Sequence, residues 1–167
     1  MNHTYIFRQR KETQEEYMIA IGSDHGGFEL KEEIMRFFDE KQIEYKDFGT
    51  FSRESVDYSD VAIEVAKAVT EGGYESGIII CVTGIGVSIA ANKVPGIRAA
   101  LCTDPYMARM TREHNDANVL ALGGRVVGVG LALEIVKVFI NTPFSQGERH
   151  KNRINKLKAL DDKFNDK

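Results

Sequence analysis

An α/β fold, with an open sheet of about five parallel strands covered by helices on both faces, is what this sequence predicts. Two observations carry that expectation. From Met18 onward, short apolar runs alternate with longer amphipathic segments, the order that builds a parallel sheet through helical crossovers. The chain has 167 residues and 43% apolar composition, enough to close a substantial core without disulfides or metal. The expected organisation is an N-terminal extension over residues 1–17, with no partner element and no assigned role, followed by a single domain over 18–167.

The elements follow in order. Met18 to Gly22 is a short apolar strand, and Ser23 to Gly27 a loop. Phe28 to Glu40 is an amphipathic helix, with Phe28, Leu30, Ile34, Phe37 and Phe38 facing inward. Glu44 to Phe48 is the second strand, followed by a loop that carries Arg53, Asp57 and Tyr58. A helix over Asp60 to Thr70 takes Ser59 as its N-cap and stops at Gly72-Gly73. Gly77 to Cys81 is the third strand, Val87 to Lys93 a short helix, and Ile97 to Cys102 the fourth strand. Asp104-Pro105 pairs a cap with a proline at the first helical position and launches a helix to about Glu113. Val119 to Leu122 is the fifth strand and Val129 to Ile140 its helix. A charged helix from Glu148 to about Phe164 follows, and its thin stripe of Ile154, Leu157 and Leu160 suits packing on a partner subunit.

Charge and composition narrow the function. A formal net charge of −3 argues against a general nucleic-acid binder, yet leaves room for a local cationic pocket. No apolar run approaches the roughly 18–20 residues that span a bilayer. The first residues hold no signal-peptide apolar region, and the two cysteines, Cys81 and Cys102, each end a predicted strand. A reduced, cytoplasmic protein is therefore expected.

The densest chemistry lies in ESGIIICVTGIGVSIAANK, where a buried strand ends at Cys81 and a glycine turn opens a helix. In open α/β sheets ligands bind outside the carboxyl ends of the strands, and a helix N-terminus suits an anion. Cys81 stays open between an inert core thiol and an accessible thiolate favoured by that turn. Gly84-x-Gly86 falls short of a dinucleotide fingerprint, because Ile89 stands where a third glycine belongs and the motif follows the third strand. Five loops are expected to gather around it: Ser23-Asp24-His25-Gly26-Gly27, Cys81 to Gly86, His114-Asn115-Asp116, Gly123-Gly124-Arg125 and the start of the last helix. Asp24-His25 reads as a helix cap with a surface histidine or as a ligand-contacting pair. Asp24, His25 and His114 lack metal-ligand spacing within any one element. Arg149 and Arg153 share one helical face, which suits either a phosphate clamp or a solvated charged surface.

Taken together, IAIGSDHGGFELK at 19–31, VDYSDVA at 56–62, IICVTGIGVSIAANKVPGIRAAL at 79–101, REHNDANVLALGGRVVG at 112–128 and GERHKNR at 147–153 resemble the type B ribose-5-phosphate isomerases and the sugar-phosphate isomerase family around them. The resemblance implies a Rossmann-like three-layer sandwich with a C-terminal helix. It also implies no metal, no nucleotide cofactor, and aldose–ketose isomerisation of a phosphorylated sugar. It assigns the proton shuttle to Cys81 and ring opening to His114, with Asp24 opposite. The Thr83 hydroxyl and the N–H groups from Gly84 through Ile85 and Gly86 to Ser88 would hold the developing oxyanion. His25, Arg125, Arg149 and Arg153 fall on phosphate-binding positions, and Tyr58 and Asn115 on sugar-contacting ones. Val82 lies in the same turn and departs from the glycine common in the family. Family sites lie between subunits, which implies a homodimer or homotetramer.

Three alternatives stand beside this expectation. Galactose-6-phosphate isomerase subunits tend to lack either the cysteine or the histidine, and this chain keeps both. Allose 6-phosphate would need only a longer pocket. A non-catalytic phosphosugar-binding protein would not need a base such as Cys81.

Overall fold

The computed structural model describes residues 18–165, so the segment 1–17 assigned to an N-terminal extension lies outside the described residues. The described elements run β1 (Met18–Ser23), α1 (Phe28–Lys41), β2 (Glu44–Asp47), α2 (Tyr58–Glu71), β3 (Ser76–Cys81), α3 (Ile85–Ala91), β4 (Ala99–Leu101), α4 (Pro105–Asn115), β5 (Val119–Gly123), α5 (Val129–Asn141) and α6 (Glu148–Asn165). The five strands form one sheet in the order β2-β1-β3-β5-β4, with every pairing parallel.

Side chains alternate across the sheet and divide the core in two. Ile19, Ile21, Ile78, Ile80, Leu120 and Leu122 pack with α1 and α5 on one face. Ala20, Ile79, Cys81, Val119 and Ala121 point to the other face, against α2 and α3. That makes three layers, as expected. The order of strands matters for the site. After β1 the chain crosses the α1 face, whereas after β3 it crosses the α3 face. The loops leaving these neighbouring strands therefore splay apart and open a crevice at their carboxyl ends.

Three boundaries differ from the sequence expectation, each for a local reason. Helix α2 begins at Tyr58, because Asp57 is the extended residue before it; Ser59 lies inside the helix and is not its cap. Helix α3 begins at Ile85, since Gly84 takes φ +78 and turns the chain directly into it. The fourth strand shrinks to three residues. Side-chain amides take over at its edge, where Asn92 bonds both the N–H and the carbonyl of Ala99 (2.9 Å each). Asn118 Oδ1 accepts the Arg98 N–H at 2.8 Å. Such side-chain pairing blunts an edge strand against further strand addition. The predicted cap does form on α4, where Asp104 accepts the Met107 N–H at 2.9 Å ahead of Pro105.

The stripe on α6 divides. Ile154 is buried within this chain, while Leu157 and Leu160 stay about half exposed beside a groove of about 390 Å³ along β4, lined also by Ile97 and Ala99. Asp161 ties the far part of the helix to the Gly96 N–H at 3.0 Å.

Lys31 is the residue that amphipathic reading hides. It sits three positions after Phe28 and three before Ile34, on the inward face of α1, and is fully buried. Its ammonium reaches both Asp47 carboxylate oxygens (2.7 and 2.6 Å) and the Thr50 carbonyl (2.6 Å). A buried charge is tolerated only with such partners. The effect is to pin the chain after β2 against the end of β1, where Ser23 and Thr50 exchange backbone bonds with their neighbours.

Candidate active site

The crevice between β1 and β3 collects most of the expected residues. In the ladder Ser23 stands opposite Ile80, so Asp24 and Cys81 are the next residues out on adjacent strands. The Asp24 N–H bonds the Ile80 carbonyl at 3.1 Å, and its carboxylate accepts the Gly27 N–H at 3.0 Å, which closes the turn into α1. Cys81 is buried and free, and its Sγ accepts the Gly84 N–H at 3.1 Å, an interaction that strengthens as sulfur gains negative charge. Thr83 is exposed at the crevice, with its Oγ1 accepting the Ile85 N–H at 3.3 Å.

The second cysteine is chemically distinct. Burial, then the nearby Asp104 carboxylate, pushes the Cys102 thiol up to about 12. It stays protonated near neutral pH and lies on the other face of the sheet, packed with the α1 and α5 core.

Around Cys81 the remaining groups take defined places. The Tyr58 ring lies over Gly86, where an added Cβ would sit 2.7 Å from it. The His25 Nδ1 accepts the Val56 N–H at 3.4 Å, which ties this histidine to the loop before α2. The Gly124 N–H bonds the Cys81 carbonyl at 2.8 Å and the Arg125 N–H bonds the Val82 carbonyl at 3.1 Å, so Arg125 leaves β5 beside the same turn.

Several of the N–H groups expected to hold an oxyanion already have partners within the turn. The Gly84 N–H serves Cys81 and the Ile85 N–H serves Thr83. The Ser88 N–H closes a helical bond to the Gly84 carbonyl, and its hydroxyl bonds the Ile85 carbonyl at 2.8 Å. The Gly86 and Val87 N–H groups remain at the open end of α3, where a helix supplies no acceptor of its own.

Gly84 makes this turn possible. Besides its positive φ, a Cβ there would stand 2.5 Å from Leu101 Cδ1 and 2.8 Å from the Leu122 carbonyl carbon. We expect Gly84→Ala to destabilise the fold by about 2–4 kcal/mol, through backbone strain and overpacking together. Denaturant unfolding checks this, and a wild-type midpoint would refute it.

His114, Asn115, Arg149 and Arg153 do not join this group, contrary to the expectation that five loops meet at one end. A helix that follows a parallel strand runs back toward the strand's start, and α4 delivers His114 and Asn115 to the amino-terminal end of the sheet. There Arg98 bonds the carbonyls of Asn115 and Asp116 (2.9 and 2.7 Å), next to the residues that begin β4 and β5. Between Gly77 and Cys81, which pair with Val119 and Gly123, lie four residue steps, or about 13 Å. Cys81 and His114 of one chain therefore cannot act on the same carbon.

This second group is firmly held. Asp116 takes the left-handed conformation that ends α4. It is gripped by Arg98 (3.0 Å) and Arg112 (3.5 Å), while Arg112 also reaches the Thr142 carbonyl at 3.1 Å and stacks over Phe139. The first turn of α6 then brings His150 face to face with His114, ring centroids 4.3 Å apart. The Arg149 Nε–H donates to His150 Nε2 at 3.1 Å.

The sequence pattern gives no role to Lys31, Arg98 or Arg112, and offers His150 only as one of the reactive groups at the start of the last helix. The signal for Lys31 was its helical phase. The signal for His150 was its place between two arginines in a motif already singled out. Among the described residues no cluster of three or more His, Cys, Asp or Glu side chains could hold a metal ion, and no helix is long and apolar enough to cross a membrane.

Comparison with known proteins identifies the family and the fold. The family model described as Ribose/Galactose Isomerase matches residues 19–157. The chain is 48% identical over 147 residues to ribose-5-phosphate isomerase B of Escherichia coli, covering 88% of this chain and 98% of that one. A solved structure of Clostridium thermocellum ribose-5-phosphate isomerase B superposes with a TM-score of 0.86 at 56% identity, over 88% of this chain and 99% of the other. Trypanosoma brucei type B ribose 5-phosphate isomerase gives 0.83 at 49% identity, over 86% and 98%.

Proposed function

Because this chain belongs to the ribose/galactose isomerase family, we propose that it interconverts ribose 5-phosphate and ribulose 5-phosphate through an enediolate, with Cys81 as the base. The observation that carries this reading is the thiol itself. Cys81 ends a strand in the crevice, faces a backbone N–H, and neighbours the Asp24 carboxylate and the open end of α3.

The reaction then runs as follows. His114 and Asp24, from opposite sides of the furanose, move one proton from the anomeric hydroxyl and one onto the ring oxygen, which frees the aldehyde. The Cys81 thiolate removes the C2 proton, and the charge that develops on O1 meets the Gly86 and Val87 N–H groups. The Thr83 hydroxyl relays the O2 proton to O1, and the Cys81 thiol returns its proton to C1. Arg125, Arg149, Arg153 and His25 hold the phosphate, while Tyr58 and Asn115 contact the sugar. No net proton or electron is gained or lost.

Since one chain holds these groups at opposite ends, the working site combines Cys81 of one copy with His114 of another. Exposed apolar side chains support such an assembly. Ile85, Ile89, Tyr106, Val126 and Val129 lie on segments that follow β3, β4 and β5, around the end that carries Cys81. Large apolar side chains exposed at one end of a sheet suit an interaction site. A homodimer is the smallest closed assembly that completes two sites at once. The two free cysteines suit a reducing cytoplasm.

The test is a deuterium-uptake assay in heavy water with ribose 5-phosphate, allose 6-phosphate and galactose 6-phosphate. Ribose 5-phosphate should lead in kcat/KM by roughly tenfold or more, with deuterium entering at C2 of the recovered aldose. Preference for a six-carbon sugar would overturn the substrate assignment, and absence of exchange the enediolate route. No turnover of any of the three would leave a phosphosugar-binding protein.

A further inference from the structure

His150 is 5% exposed, stacked on His114 with planes 8° apart, and bonded through Nε2 to the Arg149 Nε–H. Because Nε2 accepts that bond, the ring is neutral and carries its proton on Nδ1, which is buried with no partner among the described residues. A second proton on Nε2 would face a guanidinium. Burial, then His114, Arg149 and Arg153, holds His150 below the usual histidine range. His150 is thus poorly suited to move protons, yet it touches one residue assigned to ring opening and one assigned to phosphate binding.

We propose that His150 is a positioning residue that fixes the distance between the ring-opening imidazole and the phosphate clamp: one face sets the plane of His114, and one edge sets the guanidinium of Arg149. This rests on the roles proposed above for those two residues. The substrate gives the arrangement its meaning. The furanose ring oxygen is attached to C4 and the phosphate to C5, so their separation in the bound sugar is short and nearly constant. A rigid spacer between the two binding groups presents that separation in advance and lowers the ordering cost of catalysis.

Two substitutions separate the two contacts. His150→Phe keeps a flat ring against His114 and removes the acceptor for Arg149. His150→Gln keeps an acceptor and removes the flat ring. In the full-length protein, inhibition by inorganic phosphate reads the clamp. For ring opening, the readout is the ratio between solvent exchange of the C1 proton of ribulose 5-phosphate and net formation of ribose 5-phosphate. Exchange needs only open-chain chemistry, whereas formation of the cyclic aldose on the enzyme needs the ring-opening group.

His150→Phe should raise the phosphate inhibition constant about tenfold and leave the exchange ratio near wild type. His150→Gln should raise the exchange ratio about tenfold, with the phosphate constant within about twofold of wild type. Each variant has its own selective readout, so either one that folds suffices. Joint loss of both readouts in the folded variants would mean a merely structural role and overturn the proposal, as would wild-type values for both. If His114→Ala raises the exchange ratio and the His150 variants do not, only the spacer falls. If His114→Ala leaves the ratio unchanged, the ring-opening assignment falls and takes the spacer with it.

Discussion

Cys81→Ala should lower kcat/KM by about 10³-fold or more, the scale expected when a positioned base is removed from a carbon-acid reaction. The substitution should leave inhibition by inorganic phosphate within about twofold, because Cys81 is assigned no phosphate contact. Its structural cost is modest, about 1–3 kcal/mol, since only one atom is lost but the buried Gly84 N–H loses its acceptor. Cys81→Ser sharpens the test. A hydroxyl keeps the shape and the hydrogen bond but is a far weaker acid than a thiol, so it supplies little anion near neutral pH. It should be nearly as inactive as alanine. Deuterium exchange into ribulose 5-phosphate is the most sensitive measurement, as it registers proton removal even without net turnover. Exchange at the wild-type rate in Cys81→Ala would remove the cysteine from the mechanism.

His114→Ala should lose about 10²-fold in conversion to ribose 5-phosphate while keeping most of the C1 exchange of ribulose 5-phosphate. The open-chain ketose has no ring to open, so proton removal by Cys81 proceeds; what fails is delivery of a cyclic aldose. A proportional loss of both activities would argue against a ring-opening role. The same variant also tests the placement of the two groups. After subunit exchange, an equimolar mixture of Cys81→Ala and His114→Ala should recover about a quarter of wild-type activity. Half of the dimers are mixed, and each mixed dimer has one of its two sites intact. No recovery after verified exchange would mean that the two residues do not come from different copies.

The crevice side of the site was legible in the sequence because its signals are local. An apolar run that ends in Cys81 and a turn with Gly84 place a thiol at a strand end whatever the rest of the chain does. Asp24 and the paired glycines after it follow the same logic. His114 stands out in the sequence as a candidate, but its end of the sheet follows from chain direction and not from chain order. An eleven-residue α4 carries its last turn back to the start of the next strand. Lys31 was hidden by its residue type, because its ammonium depends on Asp47 and Thr50 from a distant segment. His150 depended on a contact between α4 and α6 that no local pattern encodes. The start of α2 was misplaced by only two residues, yet that shift puts Tyr58 on the helix and over Gly86.

The separation of Cys81 and His114 across the sheet has a consequence for descent. In the proposed assembly, each copy of the chain carries two half-sites that never meet within it. After gene duplication, one daughter could lose its thiol and the other its imidazole, and a mixed pair would still hold one complete centre. The released positions would then be free to drift toward a different sugar. An obligate heteromer arises from such losses alone, without a new binding surface, because the interface that joins the daughters is the one their ancestor used to join itself.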